Sequence, residues 1–331
     1  MNSSATRCRE VCDQVRRHQR IVVTSHVRPD GDALGSALAL ASALRAIGKD
    51  ARVINHDASP IPLIEFPGVA DIDVAETVPA DTEALVVLEC GDLERTGLTV
   101  PEHCVVINVD HHQGNSGYGT TKWFDASYAA VGEMVLEIID GLDVALTPDM
   151  ATQLFLAIVT DTGSFRYPGV SPRTFTMAGR LVAAGADPVL TARRLYDSNS
   201  LGRLRLQAAV LQTLDLRASG RLALLHLDDA TMGTAGATSD DTEGLINLPL
   251  SVKAIQAAVL FKQAGAGTYR VSFRSKGQFD VGAIANSFAG GGHKNASGCT
   301  ITGDRAQVRE AVLARLLPVL AADPTVEQTG G

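Results

Sequence analysis

Short apolar runs alternate with longer segments of helical spacing between residues 20 and 163. Four runs are rich in β-branched residues and are typical of strands: "RIVVTS", "ARVIN", "ALVVLE" and "CVVINVD". The segment "ALGSALALASALRAIG" is apolar on nearly all sides, as expected of a helix packed against a sheet. In "LTPDMATQLFLAIVTDTG", Thr147 suits the N-cap and Pro148 the first turn of a helix that ends near Asp161. The alternation predicts an α/β fold with a parallel sheet and helices on both faces.

The pattern changes twice in the second half of the chain. Residues 172 to 217 are rich in Ala, Leu and Arg and read as helices. From Arg221 onward three strand patterns follow, "RLALLHLD", "SVKAIQAAVLFKQ" and "TYRVSFRSK", and then a glycine-rich tract and a closing helix. A chain of 331 residues also exceeds the usual size of one domain. We predict a first domain over 1–190, a helical linker over 191–217, a smaller α/β domain over 218–324 and a flexible tail over 325–331.

Composition narrows the class of protein. The net charge of −8 argues against a broad basic surface that coats long nucleic acid, but it leaves room for a short anionic substrate. Five scattered cysteines without a CxxC pair indicate neither a disulfide framework nor a zinc site. The first twenty residues lack the apolar core of a signal peptide, and no apolar run has the length of a membrane span. We therefore expect a cytoplasmic protein without membrane attachment.

Potential metal ligands stand where four predicted elements end. These positions are His26 with Asp30, then Glu89, then Asp110, His111 and His112, and finally Asp161. Parallel strands deliver their carboxyl ends to one edge of a sheet, so we expect these side chains to converge. Asp32 begins the next helix, where backbone N–H groups favour negative charge. Imidazole with many carboxylates suits a pair of Mn²⁺ or Mg²⁺ ions, which can activate water and clamp a phosphoryl group.

Each motif alone has a plainer interpretation. The "DGD" sequence is typical of a turn with a helix cap, and "DHH" is typical of a solvated strand end. Both occur after predicted strands in the same chain, and two further acidic residues occupy matching positions. Their joint occurrence favours a metal site.

The glycine-rich tract of the second domain has the features of a phosphate site. Consecutive glycines at Gly290, Gly291 and Gly292 let backbone amides approach a phosphate, and His293 can donate a hydrogen bond to it. Arg274, at the end of a predicted strand, can hold a phosphate through two N–H groups. By composition alone, the tract also resembles a flexible linker and Arg274 a solvated charge.

Four motifs occur in a fixed order: "SHVRPDGDALGS", "NVDHHQGNSGYG", "TDTGSFRY" and "GGGHKNASG". In content and spacing they resemble the DHH phosphoesterase family with its C-terminal DHH-associated domain. The resemblance extends over nearly the whole chain, from about Arg9 to Leu320. Within that family, the chain is similar above all to the enzymes that hydrolyse oligoribonucleotides of two to five residues. Those enzymes also act as phosphatases on 3′-phosphoadenosine 5′-phosphate.

The resemblance implies two Mn²⁺ ions per chain, for which Mg²⁺ or Co²⁺ can substitute, and a homodimer. It assigns His26 and Asp30 to one ion, Asp32, His111 and Asp161 to the other, and Glu89 to the bridge between them. It assigns orientation or proton transfer to the catalytic pair His112 and Asp110. It also assigns binding of the terminal phosphate to the glycines 290–292 with His293, and substrate binding to Arg274.

At one position the chain departs from the family pattern. The family usually has Asp where this chain has Glu89, in the context "LECGDLERTG". Glutamate is one methylene longer and can still bridge two ions, and Asp92 offers an alternative ligand. Three functions therefore stay open: the oligoribonuclease and phosphatase, a phosphodiesterase acting on cyclic di-AMP or pApA, and a nucleotide-binding protein with weakened catalysis.

Overall fold

A computed structural model describes residues 3–167 and 169–322, which divide into two compact units. The first unit extends to Ser198 and the second begins at Asn199. The predicted helical linker, residues 191–217, therefore spans the boundary between the units. None of the helices in the described ranges combines the length and the apolarity that crossing a bilayer requires.

The first unit is built on a parallel sheet, as the apolar runs predicted. Its strands are β1 (Arg20–Thr24), β2 (Asp50–Asn55), β3 (Asp73–Val74), β4 (Ala84–Leu88), β5 (Val105–Asp110) and β6 (Thr121–Phe124), in the order β3-β2-β1-β4-β5-β6. All neighbouring pairs are parallel. Strand order reverses between β1 and β4, the place where open parallel sheets bind ligands. Sequence patterning missed β3, which has two residues, and β6, in which only Trp123 is buried.

The helices of this unit are α1 (Ser3–Arg17), α2 (Gly31–Ala46), α3 (Val131–Gly141), α4 (Pro148–Asp161), α5 (Pro172–Ala183) and α6 (Pro188–Tyr196). Their buried side chains pack with one face of the sheet, which includes Ile21 and Val86. The opposite face, with Val22 and Leu85, is covered by loops and a short 3₁₀ helix at Leu93–Thr96. The α/β class is confirmed, but on that face the covering elements are not the α-helices that the pattern predicted.

Helices α2 and α4 approach closely because small residues line their contact. A Cβ atom at Gly35 would overlap the backbone carbonyl oxygen of Gln153, and one at Gly31 would lie 2.5 Å from Thr160 Cγ2. The predicted cap of α4 is confirmed, because the Thr147 side chain accepts a hydrogen bond from the N–H of Met150. The close packing brings the end of α4 beside the beginning of α2.

The second unit has a mixed sheet in the order β11-β12-β10-β9-β8-β7. Its strands are β7 (Asp215–Arg217), β8 (Leu222–Leu227), β9 (Ala257–Gln263), β10 (Thr268–Ser275), β11 (Gly291–His293) and β12 (Ala296–Thr302), and only β8 and β9 pair in parallel within the described residues. One apolar cluster joins the sheet to α9 (Val281–Asn286) and α10 (Arg305–Ala322), and another joins it to α7 (Leu201–Gln212) and α8 (Asp229–Ala235). Helix α7, predicted as part of the linker, thus packs into the core of the second unit.

Candidate metal centre

Two adjacent strands in the middle of the first sheet lead directly into candidate ligands. His26 follows β1, and Glu89 follows β4. Glu89 has a backbone φ of 56°, in the left-handed region that residues other than glycine seldom adopt. Its side chain is only 2% exposed. A buried carboxylate on a strained backbone is a feature of functional sites rather than of ordinary strand ends.

The carboxylate of Glu89 lies among three histidine rings. Its Oε1 is 3.5 Å from Nε2 of both His111 and His112, and its Oε2 is 3.5 Å from Nε2 of His26. Oε2 is buried and has no hydrogen-bond donor among the described residues, which is costly unless a ligand binds it. One ligand atom from each of Glu89, His111 and His112 lies within 4.8 Å of the others, close enough for these groups to share a cation. The geometry therefore fits a carboxylate that binds metal through both oxygens.

Backbone carbonyls fix the orientation of two of these rings. Nδ1 of His26 is 2.8 Å from the carbonyl oxygen of Val27, and Nδ1 of His111 is 2.9 Å from that of Tyr128. A carbonyl can only accept, so Nδ1 carries the proton in both rings. This orientation turns each Nε2 toward Glu89, where it can bind a cation, as in metal-binding histidines whose other nitrogen bonds to a carbonyl.

His112 is oriented by a carboxylate instead. Its Nδ1 is 2.9 Å from Oδ1 of the fully buried Asp110, and Oδ2 of Asp110 accepts a hydrogen bond of 2.6 Å from Asn115. Burial alone would raise the pKa of Asp110, but the hydrogen bonds from His112 and Asn115 hold it below its ordinary value. The same hydrogen bond, which Asp110 accepts, raises the pKa of His112. Asp110 and His112 thus form a pair that can hold a proton at the edge of the site.

Asp32 and Asp161 complete the cluster from two helices. One ligand atom from each of Asp32, Glu89, His111 and Asp161 lies within 4.8 Å of the others, and Glu89, His111 and His112 form a second such group. Oδ2 of Asp161, at the end of α4, is 3.4 Å from Nε2 of His111. The two groups share Glu89 and His111, so these two residues lie at the centre of the cluster.

The charges of this cluster are out of balance without a cation. Burial, and then the negative charge of Glu89, raises the pKa of Asp32 and raises that of Asp161 to about 6. Burial alone would lower the pKa of His111, but the hydrogen bond to Glu89 and the charge of Asp32 raise it to about 10. In each case the raised pKa favours the protonated form, which reduces the negative charge of the cluster. A divalent cation would supply the missing charge, so the donor set fits one.

Three of the predicted ligands lie outside these two groups of ligand atoms. His26 belongs to neither group within the described residues, although it faces Glu89. Asp30 is exposed, and its Oδ1 caps α2 by accepting from the N–H groups of Asp32 and Ala33. Asp92 caps the short 3₁₀ helix through the N–H of Glu94 and is likewise outside both groups in the described residues.

The predicted phosphate residues lie in the second unit. Gly291 and Gly292 belong to strand β11, so this tract is an edge strand rather than a linker. The fold itself requires two of the glycines: a Cβ at Gly290 would lie 2.5 Å from Cys299 Cβ, and one at Gly292 would lie 2.6 Å from the Ala296 carbonyl oxygen. Space is open at Gly291. The side chain of His293 lies outside the part of the chain that the structure describes.

Arg274 is half-buried in β10 and donates to the backbone carbonyl of Phe273. Burial lowers its pKa, and none of the ion pairs among the described residues involves it. A desolvated guanidinium without a carboxylate is suited to an anionic ligand. In register, residues 274 and 293 both stand opposite Ala296, two strand spacings or roughly 10 Å apart.

Sequence reasoning gave no role to two residues of the first site. Asn115 lies within the motif "NVDHHQGNSGYG" and holds Asp110, and its position there was the available signal. Tyr128 acts through its backbone carbonyl, which the residue type does not reveal. An open cavity of about 340 Å³ lies beside the cluster, lined among others by His111, Asp161 and Tyr167.

Comparison with known proteins supports the motif-based resemblance. Residues 20–158 match the model of the DHH family N-terminal domain, and residues 226–321 match that of the DHHA1 domain. A bifunctional oligoribonuclease and PAP phosphatase, NrnA, from Thermus thermophilus is 35% identical over 88% of each chain. The Bacillus subtilis protein of the same name is 27% identical over 88% of this chain and 92% of its own.

Among solved structures, an exopolyphosphatase-related protein from Bacteroides fragilis superposes with a TM-score of 0.85. It is 26% identical, and the match covers 96% of this chain and 98% of that one. The predicted fold class and the family resemblance are thereby confirmed.

Proposed function

The chain belongs to the DHH family of phosphoesterases, and from that premise we propose that it hydrolyses short oligoribonucleotides to mononucleotides. We further propose that it releases phosphate from 3′-phosphoadenosine 5′-phosphate. The observation that carries the proposal is the buried Glu89 carboxylate, whose two oxygens face the Nε2 atoms of His26, His111 and His112. The names of the Thermus and Bacillus relatives support the choice of substrates.

We assign two Mn²⁺ ions to the cluster. Their ligands would be His26, Asp30, Asp32, His111 and Asp161, with Glu89 between them. Bound cations of this kind supply positive charge to the phosphoryl group and lower the pKa of water. The mixture of imidazole and carboxylate favours Mn²⁺ over Ca²⁺.

We assign to His112 the transfer of a proton to the leaving group. Asp110 holds the Nδ1 proton of His112 at 2.9 Å and raises the pKa of this ring. The partly exposed Nε2 can therefore carry a second proton and donate it to the departing oxygen. Asp110 keeps the ring in orientation and stabilises its charged form, as a carboxylate beside a catalytic histidine does.

We assign binding of the substrate phosphate to five residues of the second unit: Arg274, Gly290, Gly291, Gly292 and His293. Arg274 is half-buried and without an ion pair among the described residues, which supports an anionic ligand. Arg270 lies four residues earlier on the same strand and is exposed, so it provides a matched control. A short substrate carries few phosphates, and bound metal ions can neutralise them. A broad surface of lysines is then not needed, which is consistent with the net charge of −8.

The test is release of mononucleotide from a 5′-labelled RNA dinucleotide and of phosphate from 3′-phosphoadenosine 5′-phosphate, with Mn²⁺ or with EDTA. We expect turnover with Mn²⁺ only, a large loss in Glu89→Gln, and a raised KM in Arg274→Gln but not in Arg270→Gln. Glu89→Asp tests the departure from the family pattern. Turnover that appears only in Glu89→Asp would mean that the natural chain binds nucleotides without hydrolysing them.

Cyclic di-AMP and pApA serve as competing substrates in the same assay. If kcat/KM is higher for either of these than for RNA dinucleotide and 3′-phosphoadenosine 5′-phosphate, the protein is a phosphodiesterase that acts on cyclic di-AMP or pApA. Absence of turnover on all four with Mn²⁺ would overturn the assignment.

A further inference from the structure

Two candidate metal ligands depend on one short segment, residues 127–132, here called the support loop. The carbonyl of Tyr128 in this loop accepts from Nδ1 of His111 at 2.9 Å. At its end, the N–H groups of Val131 and Gly132 donate to the two oxygens of Asp32 at 2.6 and 2.9 Å. Through these two hydrogen bonds Asp32, which is fully buried in α2, caps the N-terminus of α3. Displacing the loop would therefore move both ligands at once.

Arg173, from the first turn of α5, contacts the same loop. Its guanidinium lies 3.7 Å from the centre of the Tyr128 ring and donates to the carbonyl of Ser127. Its Nε is 3.4 Å from Oε2 of Glu133. That fully buried oxygen also accepts a hydrogen bond of 3.1 Å from the N–H of Ala129.

We propose that Arg173 is a positioning residue of the metal centre, which sets the affinity for Mn²⁺ by fixing the support loop behind His111 and Asp32. The inference rests on the proposed dinuclear site. The planar guanidinium covers an aromatic ring, binds a carbonyl and faces a carboxylate at the same time. A lysine ammonium keeps the charge opposite Glu133 but cannot reproduce the other two contacts with the same geometry.

The chain offers a matched control on the same pair of helices. Arg180 of α5 donates two hydrogen bonds of 2.8 and 2.9 Å to Asp140 of α3. This pair lies two turns further along both helices, since Arg180 follows Arg173 and Asp140 follows Glu133 by seven residues. Among the residues that the structure describes, this pair forms no hydrogen bond or ion pair with the support loop. Arg180→Gln therefore removes an α3–α5 ion pair without touching the metal ligands.

The experiment is a titration of the metal-free protein with Mn²⁺ in the absence of substrate, following free Mn²⁺ by electron paramagnetic resonance. The variants are Arg173→Gln, Arg173→Lys and Arg180→Gln, each also unfolded thermally in EDTA. We expect affinity to fall about 10- to 100-fold in Arg173→Gln, because loss of groups that orient metal ligands has effects of this size. Arg173→Lys should be intermediate, and Arg180→Gln should bind as the wild type does. In turnover assays, saturating Mn²⁺ should restore most of kcat in Arg173→Lys.

Wild-type affinity in a folded Arg173→Gln would overturn the inference, and so would an equal loss in Arg180→Gln. If Arg173→Gln does not fold, Arg173→Lys decides: wild-type affinity there contradicts the geometric role of the guanidinium. A wild-type protein that binds no Mn²⁺ would instead overturn the proposed metal centre, and the inference with it. The two failures are thus separated by the behaviour of the wild type.

Discussion

A single methyl group between α2 and α4 should disturb both the fold and the metal site. In Gly35→Ala the new Cβ overlaps the carbonyl oxygen of Gln153 and lies 3.3 Å from the Cβ of Ala157. Both sides of the contact belong to helix backbones, so neither can rotate away. The helices must separate by about 1 Å to reach ordinary van der Waals distance. This separation would move Asp161, at the end of α4, away from Asp32 near the start of α2.

The size of the effect follows from two opposing contributions. Alanine gains about 1 kcal/mol over glycine in a helix interior. Overpacking of a rigid contact costs about 3 kcal/mol, at the upper end of the usual range. We therefore expect Gly35→Ala to lower the free energy of unfolding by about 2 kcal/mol. Because a displacement of about 1 Å in a catalytic group can cost about 100-fold, turnover should fall by roughly that factor.

Gly179 of α5 provides the control, since a Cβ there meets no atom within 4 Å. Gly179→Ala should raise the free energy of unfolding by about 0.5–1 kcal/mol and leave turnover unchanged. Stability is measured by urea denaturation of the metal-free protein, and activity by phosphate release with Mn²⁺. Equal stabilities for Gly35→Ala and Gly179→Ala, or full activity in Gly35→Ala, would refute the packing argument.

Three further predictions address the remaining features. Asp110→Asn keeps the shape of the buried side chain but removes the charge that orients His112, so kcat should fall at least about 100-fold. The pKa of His112 should also fall, which would move the basic limb of the pH–rate profile to lower pH; an unchanged profile would contradict the role given to this pair. Gly291→Ala fits the fold without overlap and should raise KM while leaving stability unchanged, whereas Gly290→Ala should destabilise the second unit; an unaltered KM in Gly291→Ala would remove this glycine from the phosphate site. Burial, with help from nearby arginines, lowers the pKa of His226 from 6.5 to about 4, so the unfolded chain binds the extra proton first as the pH falls. The free energy of unfolding should then drop by up to about 3 kcal/mol between pH 6.5 and 4 relative to His226→Phe, which keeps the stacking on Phe261; parallel acid denaturation curves for the two proteins would show the reasoning to be wrong.

The sequence alone determined the elements and the type of chemistry. Apolar runs of β-branched residues predicted the main strands of the first sheet, and Thr147 with Pro148 predicted where α4 begins. These features depend on neighbours within a few residues, and such local preferences are legible in the chain itself. The placement of acidic residues and histidines after those elements indicated a metal site for the same reason: strand direction fixes which edge they reach.

Only the tertiary structure decided what each residue of the site contacts. Asp32 meets the N–H of Val131 across 99 positions of the chain, and His111 meets the Tyr128 carbonyl, which no residue type announces. Glu89 lies among three histidines only because separate elements pack together. The same is true of the contact between Arg173 and the support loop. Such contacts depend on helix separation and loop closure summed over the whole unit, so local preference along the chain does not encode them individually.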